Sequence, residues 1–276
     1  MKKYSIPYFF WLLIFVVMPL ALITLMAFSQ GDMMNISTFS FSLDNFVRFF
    51  EKTYLSILKN SLVLAAVSTV LCFIIGYPAA FIISRQKEKL QNILILLFVI
   101  PMWMNFLLRT YAWLSLLGSN GLINKFFGLI GLGPFDIIYN NKAILLGMVY
   151  NFLPYMVLPI YTVLNKMDES LVEAARDLGA SEREVFTKVI FPLSLAGVSS
   201  GVIMVFIPAL STFVISSLLG GNKAMLIGNV IEQQFRFTGD WHFGSAISMI
   251  LVFLMFIWII VSSKLNIDRE SEGGLW

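Results

Sequence analysis

The sequence predicts an all-α membrane protein with six transmembrane helices, and three observations carry that prediction. Hydrophobic residues make up 58% of the 276 and charged ones only 13%, with a mean hydropathy of +0.84, a balance that a soluble core of this size does not need. Apolar runs long enough to cross about 30 Å of hydrocarbon as helices recur along the chain. By contrast, Asn165 to Pro192 is dense in charge, with Lys166, Arg176, Arg183 and Lys188 set among Asp168, Glu169, Glu173, Asp177, Glu182 and Glu184. A bilayer interior does not accept that density, so this island lies in water or against a soluble partner. Residues 1–276 read as a single transmembrane domain interrupted by a loop at about 165–192.

The first span runs from Tyr8 to Phe28 behind Lys2 and Lys3. A secretory signal is the rival reading, but the run exceeds the usual signal core and no small-x-small cleavage site follows, so the segment is kept as a span. Span two covers about Ile57 to Ser84, span three Asn92 to Leu117, span four Ala143 to Leu164, span five Leu193 to Leu219 and span six Phe243 to Ser263. Ser42 to Phe50 reads as a capped amphipathic helix on the membrane surface, with Phe46, Phe49 and Phe50 facing down. A second short surface helix is expected around Ile123 to Ile130, and a turn at Gly220, Gly221 and Asn222. Pro154, Pro159, Pro208, Gly76 and Gly201 inside the spans fit bends and close helix contacts.

Lysines and arginines in the loops orient the chain. With the N-terminus in the cytoplasm, Lys2, Lys3, Arg85, Lys87, Lys89, Lys166, Arg176, Arg183, Lys188, Lys264 and Arg269 lie inside. Arg48, Lys52, Lys59, Lys125, Lys142, Lys223 and Arg236 lie outside, and Arg109 falls within span three. The excess inside places both termini, and the charged island, in the cytoplasm of a bacterial inner or plasma membrane.

Within the island, Leu171, Ala174, Ala175 and Leu178 recur at helical spacing and give a short helix one apolar face, with Asp168 and Ser170 as capping residues. Gly179 allows the left-handed backbone angle of a turn. Ser181 with Glu184 three residues on is a capping-box pattern for a second short helix, and Pro192 marks the start of the next apolar run.

The stretch resembles the EAA loop of ABC importer permeases, whose pattern is Glu-Ala-Ala, three residues, Gly, nine residues, Ile, one residue, Leu-Pro. Glu173, Ala174, Ala175, Gly179 and Pro192 match, while Val189 and Phe191 stand where the family usually has Ile and Leu. In that family the loop is a coupling helix that docks in a groove of the ATP-binding subunit, which here implicates Glu173, Ala174, Ala175, Asp177, Leu178, Gly179 and Ala180. Further strings, SLDNF, NSLVLA, PMWMNFLLRTYAWL, YNFLPYMVLPIY, FIPALSTFVISSLLGG and IGNVIEQQF, are similar to the PotB-type permeases of spermidine/putrescine importers over essentially the whole chain. The resemblance implies a MetI-like type I ABC importer permease fold, a PotC-type second permease, two copies of a PotA-type ATPase that bind the ATP and Mg, and a PotD-type extracytoplasmic polyamine receptor. It leaves the substrate open, since related permeases carry other small solutes such as iron complexes or aminophosphonates.

A polycation pathway needs carboxylates or aromatic faces that do not trap the substrate. The spans contain no acidic residue, and they offer Trp103, Tyr111, Trp113, Tyr150, Tyr155 and Phe213, with Asn105, Ser211 and Ser217 as polar neighbours. Relatives often carry an acidic residue near the position of Ser217, so the attracting carboxylates lie on the partner permease or delivery depends on the receptor. The same aromatics also read as ordinary packing. Arg109 reads as a paired structural residue or one snorkelling to the outer interface.

Catalysis is not expected of this chain. It lacks the G-x-x-x-x-G-K-[ST] phosphate loop, so hydrolysis belongs to a partner subunit, and nothing in it suggests nucleic-acid binding. The single histidine, His242, reads as a loop residue and Cys72 has no disulfide partner, so neither a metal site nor an intramembrane hydrolase is expected. An ion-gradient-driven transporter is the other class, but neither mid-membrane ionisable relays nor paired broken helices are evident.

Overall fold

The structure, a computed structural model, describes residues 5–31, 40–133, 135–221 and 224–273, with side chains between 8 and 262. Lys2, Lys3, Asn222 and Lys223 lie outside the described residues, as do the side chains of Lys264 and Arg269. Among the described residues, five helices are long and apolar enough to cross a membrane: α1 (Tyr8–Ala27), α3 (Lys52–Ser84), α7 (Asn141–Asn165), α9 (Glu182–Ser211) and α11, whose apolar part is Trp241–Ser262. Short helices α2 (Asp44–Phe49), α6 (Leu122–Leu129), α8 (Glu169–Asp177) and α10 (Ile227–Gln233) lie between them. A two-residue antiparallel ladder pairs Ser29–Gln30 with Ser40–Phe41.

Two spans are broken where the sequence expectation has them continuous. Span three is not one rod: α4 (Glu88–Trp103) and the helical run Phe106–Leu129 that follows, which opens with α5 (Phe106–Leu117), meet at a 93° bend. Met104 at the break is extended (φ −73, ψ 147), three residues after Pro101, and Asn105 starts the new helix by accepting from the Leu107 and Leu108 amides at 2.8 and 3.4 Å. Span five stops at Ser211 rather than Leu219, because Thr212 is extended (φ −64, ψ 138) four residues after Pro208, and a π-type turn over Ser216–Gly220 follows. Each break lies three or four residues beyond a proline, whose missing N–H frees a carbonyl of the preceding turn and weakens the helix ladder there. Counted as one bent span, the α4 segment and its continuation bring the helices long and apolar enough to cross a membrane to six among the described residues.

The residues cluster into two compact units. The first comprises Met1–Asn60 and Leu226–Ile257, the second Ser61–Met225 and Trp258–Trp276. In the first, Asn45 is buried and donates to the Ser29 carbonyl at 3.0 Å, while Phe49 is buried against the protein rather than facing lipid and Phe50 is exposed, which corrects the expected downward triplet. Arg48 bridges to Asp240 at 2.7 Å and lies 4.0 Å over the buried Phe243 ring. His242 is not a loop residue: it sits in the first turn of α11, with Nδ1 3.1 Å from both the Met26 carbonyl and Ser29 Oγ, and Nε2 2.9 Å from the Gly31 carbonyl.

The second unit is centred on α7 against α9. Met148, Met156, Val157 and Ile160 of α7 are fully enclosed, as are Val205 and Leu210 of α9. Their approach is set by two small residues one turn apart. A Cβ on Gly197 would stand 2.8 Å from the Pro159 carbonyl oxygen and one on Gly201 2.8 Å from Met156 Sδ, so the backbones touch only because no side chain intervenes. Tyr77 of α3 joins this unit through a 2.9 Å hydrogen bond to Ser194.

Candidate coupling elbow and translocation residues

The charged island folds as a helix, a turn and a helix. Asp168 caps α8 by accepting from the Ser170 amide at 3.0 Å, and that bond holds its carboxyl below the ordinary carboxylate range. Gly179 adopts φ 82, a left-handed conformation that costs other residues about 1 kcal/mol or more. Ser181 and Glu184 form the expected capping box: the Ser181 amide donates to Glu184 Oε2 at 3.1 Å, and the Glu184 amide donates to Ser181 Oγ at 3.4 Å.

The second helix is not a separate short piece. It begins at Glu182 and continues through a π-type turn over Phe186–Ile190 into the apolar run, with Pro192 accommodated in the first turn beyond. Thirty residues of helix span about 45 Å, more than the hydrocarbon requires, so the charged first turns project out of it. The second arm of the elbow is therefore continuous with the span that follows it.

Ion pairs stiffen the corner. Arg176 grips Glu182 with two bonds, Nε to Oε1 at 2.8 Å and Nη2 to Oε2 at 3.0 Å, bridging the turn from one helix to the other. Lys188 bonds Glu184 at 2.9 Å, and with the capping contacts it pulls the Glu184 carboxyl down to about 2. Arg176 likewise keeps Glu182 low.

Of the apolar residues on α8, Val172 turns inward and is buried. Leu171 and Leu178 are exposed, Leu178 by 89%, and Glu173 and Ala174 are also at the surface, with Ala175 half-buried. The outward face of the elbow is thus small and apolar, edged by Glu173, Asp177 and the half-buried Ala180. Exposed leucine at the tip of a charged, internally bonded corner suits a docking surface.

The residues expected along a pathway gather at two places. Trp103, 79% exposed, and Asn105 lie at the bend between α4 and α5, and Asn105 serves there as a helix cap. Ser211, Phe213 and Ser217 surround the break after α9, where Ser211 donates to the Ile207 carbonyl at 3.1 Å. Trp113 of α5 meets Tyr150 of α7 edge-on, with ring centroids 5.3 Å apart, while Tyr111 and Tyr155 are each more than a third exposed. α5 packs against α7 and the Ser216–Gly220 turn, so the segments after both breaks are neighbours. Non-helical backbone at membrane depth is tolerated where protein buries it or where it lines a water-filled cavity.

Arg109 is 7% exposed, which does not fit snorkelling, and among the described residues it has no carboxylate partner, its Nε and Nη1 being buried without an acceptor. Pro208, expected from the sequence as a bend, stands just before the break at Thr212, and Pro101, which carried no expectation, stands just before the one at Met104-Asn105.

Comparison with known proteins agrees with this architecture. Residues 73–271 match the family model described as the binding-protein-dependent transport system inner membrane component. The spermidine/putrescine transport system permease protein PotB of Haemophilus influenzae is 38% identical over 268 residues, covering 96% of this chain and 94% of its own. PotB of Escherichia coli is 37% identical, covering 95% and 98%. In fold, the chain is similar to a chain of a bacterial ABC transporter involved in the import of the acidic polysaccharide alginate, with a TM-score of 0.81 at 16% identity over 97% of this chain and 94% of that one. It is similar, at a TM-score of 0.57 and 17% identity over 78% and 95%, to a chain of the MetNI methionine ABC transporter. The chain belongs to the binding-protein-dependent transport system inner membrane components and, among them, to the PotB-type permeases.

Proposed function

We propose that this permease is one of two membrane subunits of an ATP-driven importer for polyamines, spermidine or putrescine, and that it receives the power stroke through Glu173 to Ala180. The observation that carries the coupling half is the elbow itself: an exposed Leu178 and a small Ala174–Ala175 face on a corner fixed by the Arg176–Glu182 pair and continuous with α9. A PotA-type ATPase dimer binds ATP and Mg and draws the elbows together, a PotC-type permease supplies the other half of the pathway, and a PotD-type receptor delivers substrate outside. Both termini then face the cytoplasm. ATP-driven closure at the elbows tilts α9 with α7, and the segments after the two breaks change their spacing.

Polyamine as substrate is supported by identity of 37–38% to permeases so named over nearly the full chain. Trp103, Tyr111, Trp113, Tyr150, Tyr155 and Phe213 offer aromatic faces to a polycation, with Asn105, Ser211 and Ser217 beside them. The test is reconstitution of this chain with its ATPase, second permease and receptor, followed by uptake of radiolabelled spermidine with putrescine as competitor. Saturable uptake that requires ATP and every component is expected. ATPase coupling without polyamine uptake overturns the substrate, leaving an iron complex or aminophosphonate; gradient-driven uptake without ATP overturns the mechanism.

A further inference from the structure

Two flanks of α9 are finished differently. Against α7 it is closed at Gly197 and Gly201, whereas between α9 and α3 there is an apolar cavity of about 470 Å³. Leu62, Ala66, Val70 and Phe73 wall it from α3, and their spacing of three and four residues puts them on one face of that helix. Val198, Val202 and Phe206 recur every four residues on α9, the first two each one residue after a glycine and so about 100° round the helix from the α7 contact. Trp258 closes one side, stacked on Phe206 with ring centroids 4.3 Å apart. Toward the Ser84 end of α3 the two helices are joined, where Tyr77 bonds Ser194 at 2.9 Å and its ring meets Phe191.

The cavity lies at the depth of hydrocarbon. Ten residues of α3 precede Leu62 and eleven follow Phe73, so this wall is the middle of a helix long enough to cross the membrane. No charged residue lines it. The hydroxyl on the wall, Thr69, donates to the Ala65 carbonyl at 2.7 Å, and Trp258 Nε1 is buried and presents nothing to the cavity. Water finds no partner there, since an apolar cavity without free polar groups stays dry. Shape narrows the choice further. From Leu62 to Phe73 is about 16 Å of helix and from Val198 to Phe206 about 12 Å. Spread along that length, the volume gives a cross-section of about 30 to 40 Å², half or less of that of an α-helix about 10 Å wide. A helix covers such a mouth without entering it. Ala66 apart, the walls are also bulky and hold no glycine, unlike the seam at Gly197 and Gly201 by which this chain brings two spans together. Ala66 and Val70 are exposed, as are Val63, Val67 and Ile74 beside them on α3, so the cavity is open at a face that is apolar throughout.

We propose that this cavity is a binding site for one acyl chain of a membrane phospholipid, lodged lengthwise between α3 and α9. A hydrocarbon chain is slim enough to enter, needs no hydrogen bond, and is present in the bilayer at this depth. It fills the flank of α9 that protein leaves open, and it yields where a packed side chain does not. Its part in transport rests on the coupling reading above: when the elbow moves α9, this flank deforms without a protein contact being broken.

The test uses the full chain taken from its native membrane, with Val70→p-benzoylphenylalanine as the photoprobe in the cavity and Leu22→p-benzoylphenylalanine, on the exposed surface of α1, as the reference. Irradiated after exhaustive detergent exchange, which strips loosely held lipid, the Val70 variant should carry an adduct of phospholipid mass at least tenfold above the reference. Adding Ala66→Phe with Val202→Phe fills the cavity and should lower that adduct at least tenfold, whereas adding Val67→Phe, beside the cavity, should leave it. If the photoprobe variant is not recovered folded, the unaltered chain is labelled instead with a phospholipid bearing a diazirine at the end of its acyl chain, and label on 66–73 and 198–206 is compared with label on α1. An adduct between Val70 and a polypeptide overturns the proposal, because a partner then fills the cavity. So does lipid retained no better than at the reference, or lipid retained after the cavity is filled. ATP-dependent uptake reads the role separately: the filling pair should slow it at least threefold. Lipid lost with uptake unchanged removes the role in transport while the site stands, and an unaltered chain that holds the lipid but shows no polyamine uptake counts against the importer reading alone.

Discussion

The contact between α7 and α9 and the elbow at Leu178 are built with the same device and left in opposite states. Both put small residues where a close approach is wanted. At Gly197 and Gly201 the approach is complete, with the α7 backbone and Met156 occupying the space a Cβ would take. At Ala174 and Ala175 it is offered but unfilled, and Leu178 beside them is 89% exposed. Yet the elbow is not loose, since Asp168, Ser181 and Glu184 satisfy the helix ends and Arg176 ties one arm to the other. A surface that is ordered by its own bonds but uncovered on its apolar side suits the partner proposed for it, whereas one that is covered serves stability.

Filling the finished contact should have the largest effect. Gly201→Leu places a side chain where Met156 already stands, so α7 and α9 must separate; a loss of about 3 kcal/mol or more is expected, read as failure to recover folded chain from detergent. Leu178→Asp touches nothing inside the chain and should leave its thermal transition within about 0.5 kcal/mol of the unaltered protein while weakening ATPase binding at least tenfold. Gly179→Ala lies between these, because open space surrounds a Cβ there but φ 82 is strained for alanine; about 1 kcal/mol of local stability is expected to be lost, visible as faster amide exchange around Leu178.

The smallest effect belongs to acid. Glu184 has a folded pKa of about 2 against 4.5 in the free side chain, so its capping and Lys188 contacts contribute fully above about 4.5 and are lost as pH falls through about 2. A carboxyl 13C titration should place the Glu184 midpoint near 2, and Lys188→Met should raise it. An unchanged midpoint in Lys188→Met would mean that the capping bonds alone hold it down.

Sequence made the elbow readable because its signals are local: a cap at Asp168, a glycine at the turn and a capping box at Ser181 to Glu184 lie within a few residues of one another. The spans were readable for a similar reason, since a long apolar run needs no neighbour to declare itself. The breaks at Met104 and Thr212 were not, because prolines inside apolar runs such as Pro154 and Pro159 leave α7 continuous while Pro101 and Pro208 precede breaks. Whether a helix survives its proline depends on what packs around it, which hydropathy does not encode. The burial of Arg109 was hidden for the same reason: α7 and the Ser216–Gly220 turn pack on α5 from distant parts of the sequence. His242 likewise gains its role only when residues near 26–31 reach it from a distant part of the sequence.

The central claim is that the elbow transmits ATPase motion to the span that follows it. The most direct measurement is ATP-dependent spermidine uptake by the reconstituted transporter carrying Glu173→Arg or Gly179→Pro, each checked for membrane insertion. Coupling through the elbow predicts that both insert yet lose the ATPase or hydrolyse ATP without uptake. Unchanged ATP-driven uptake in both variants would contradict it.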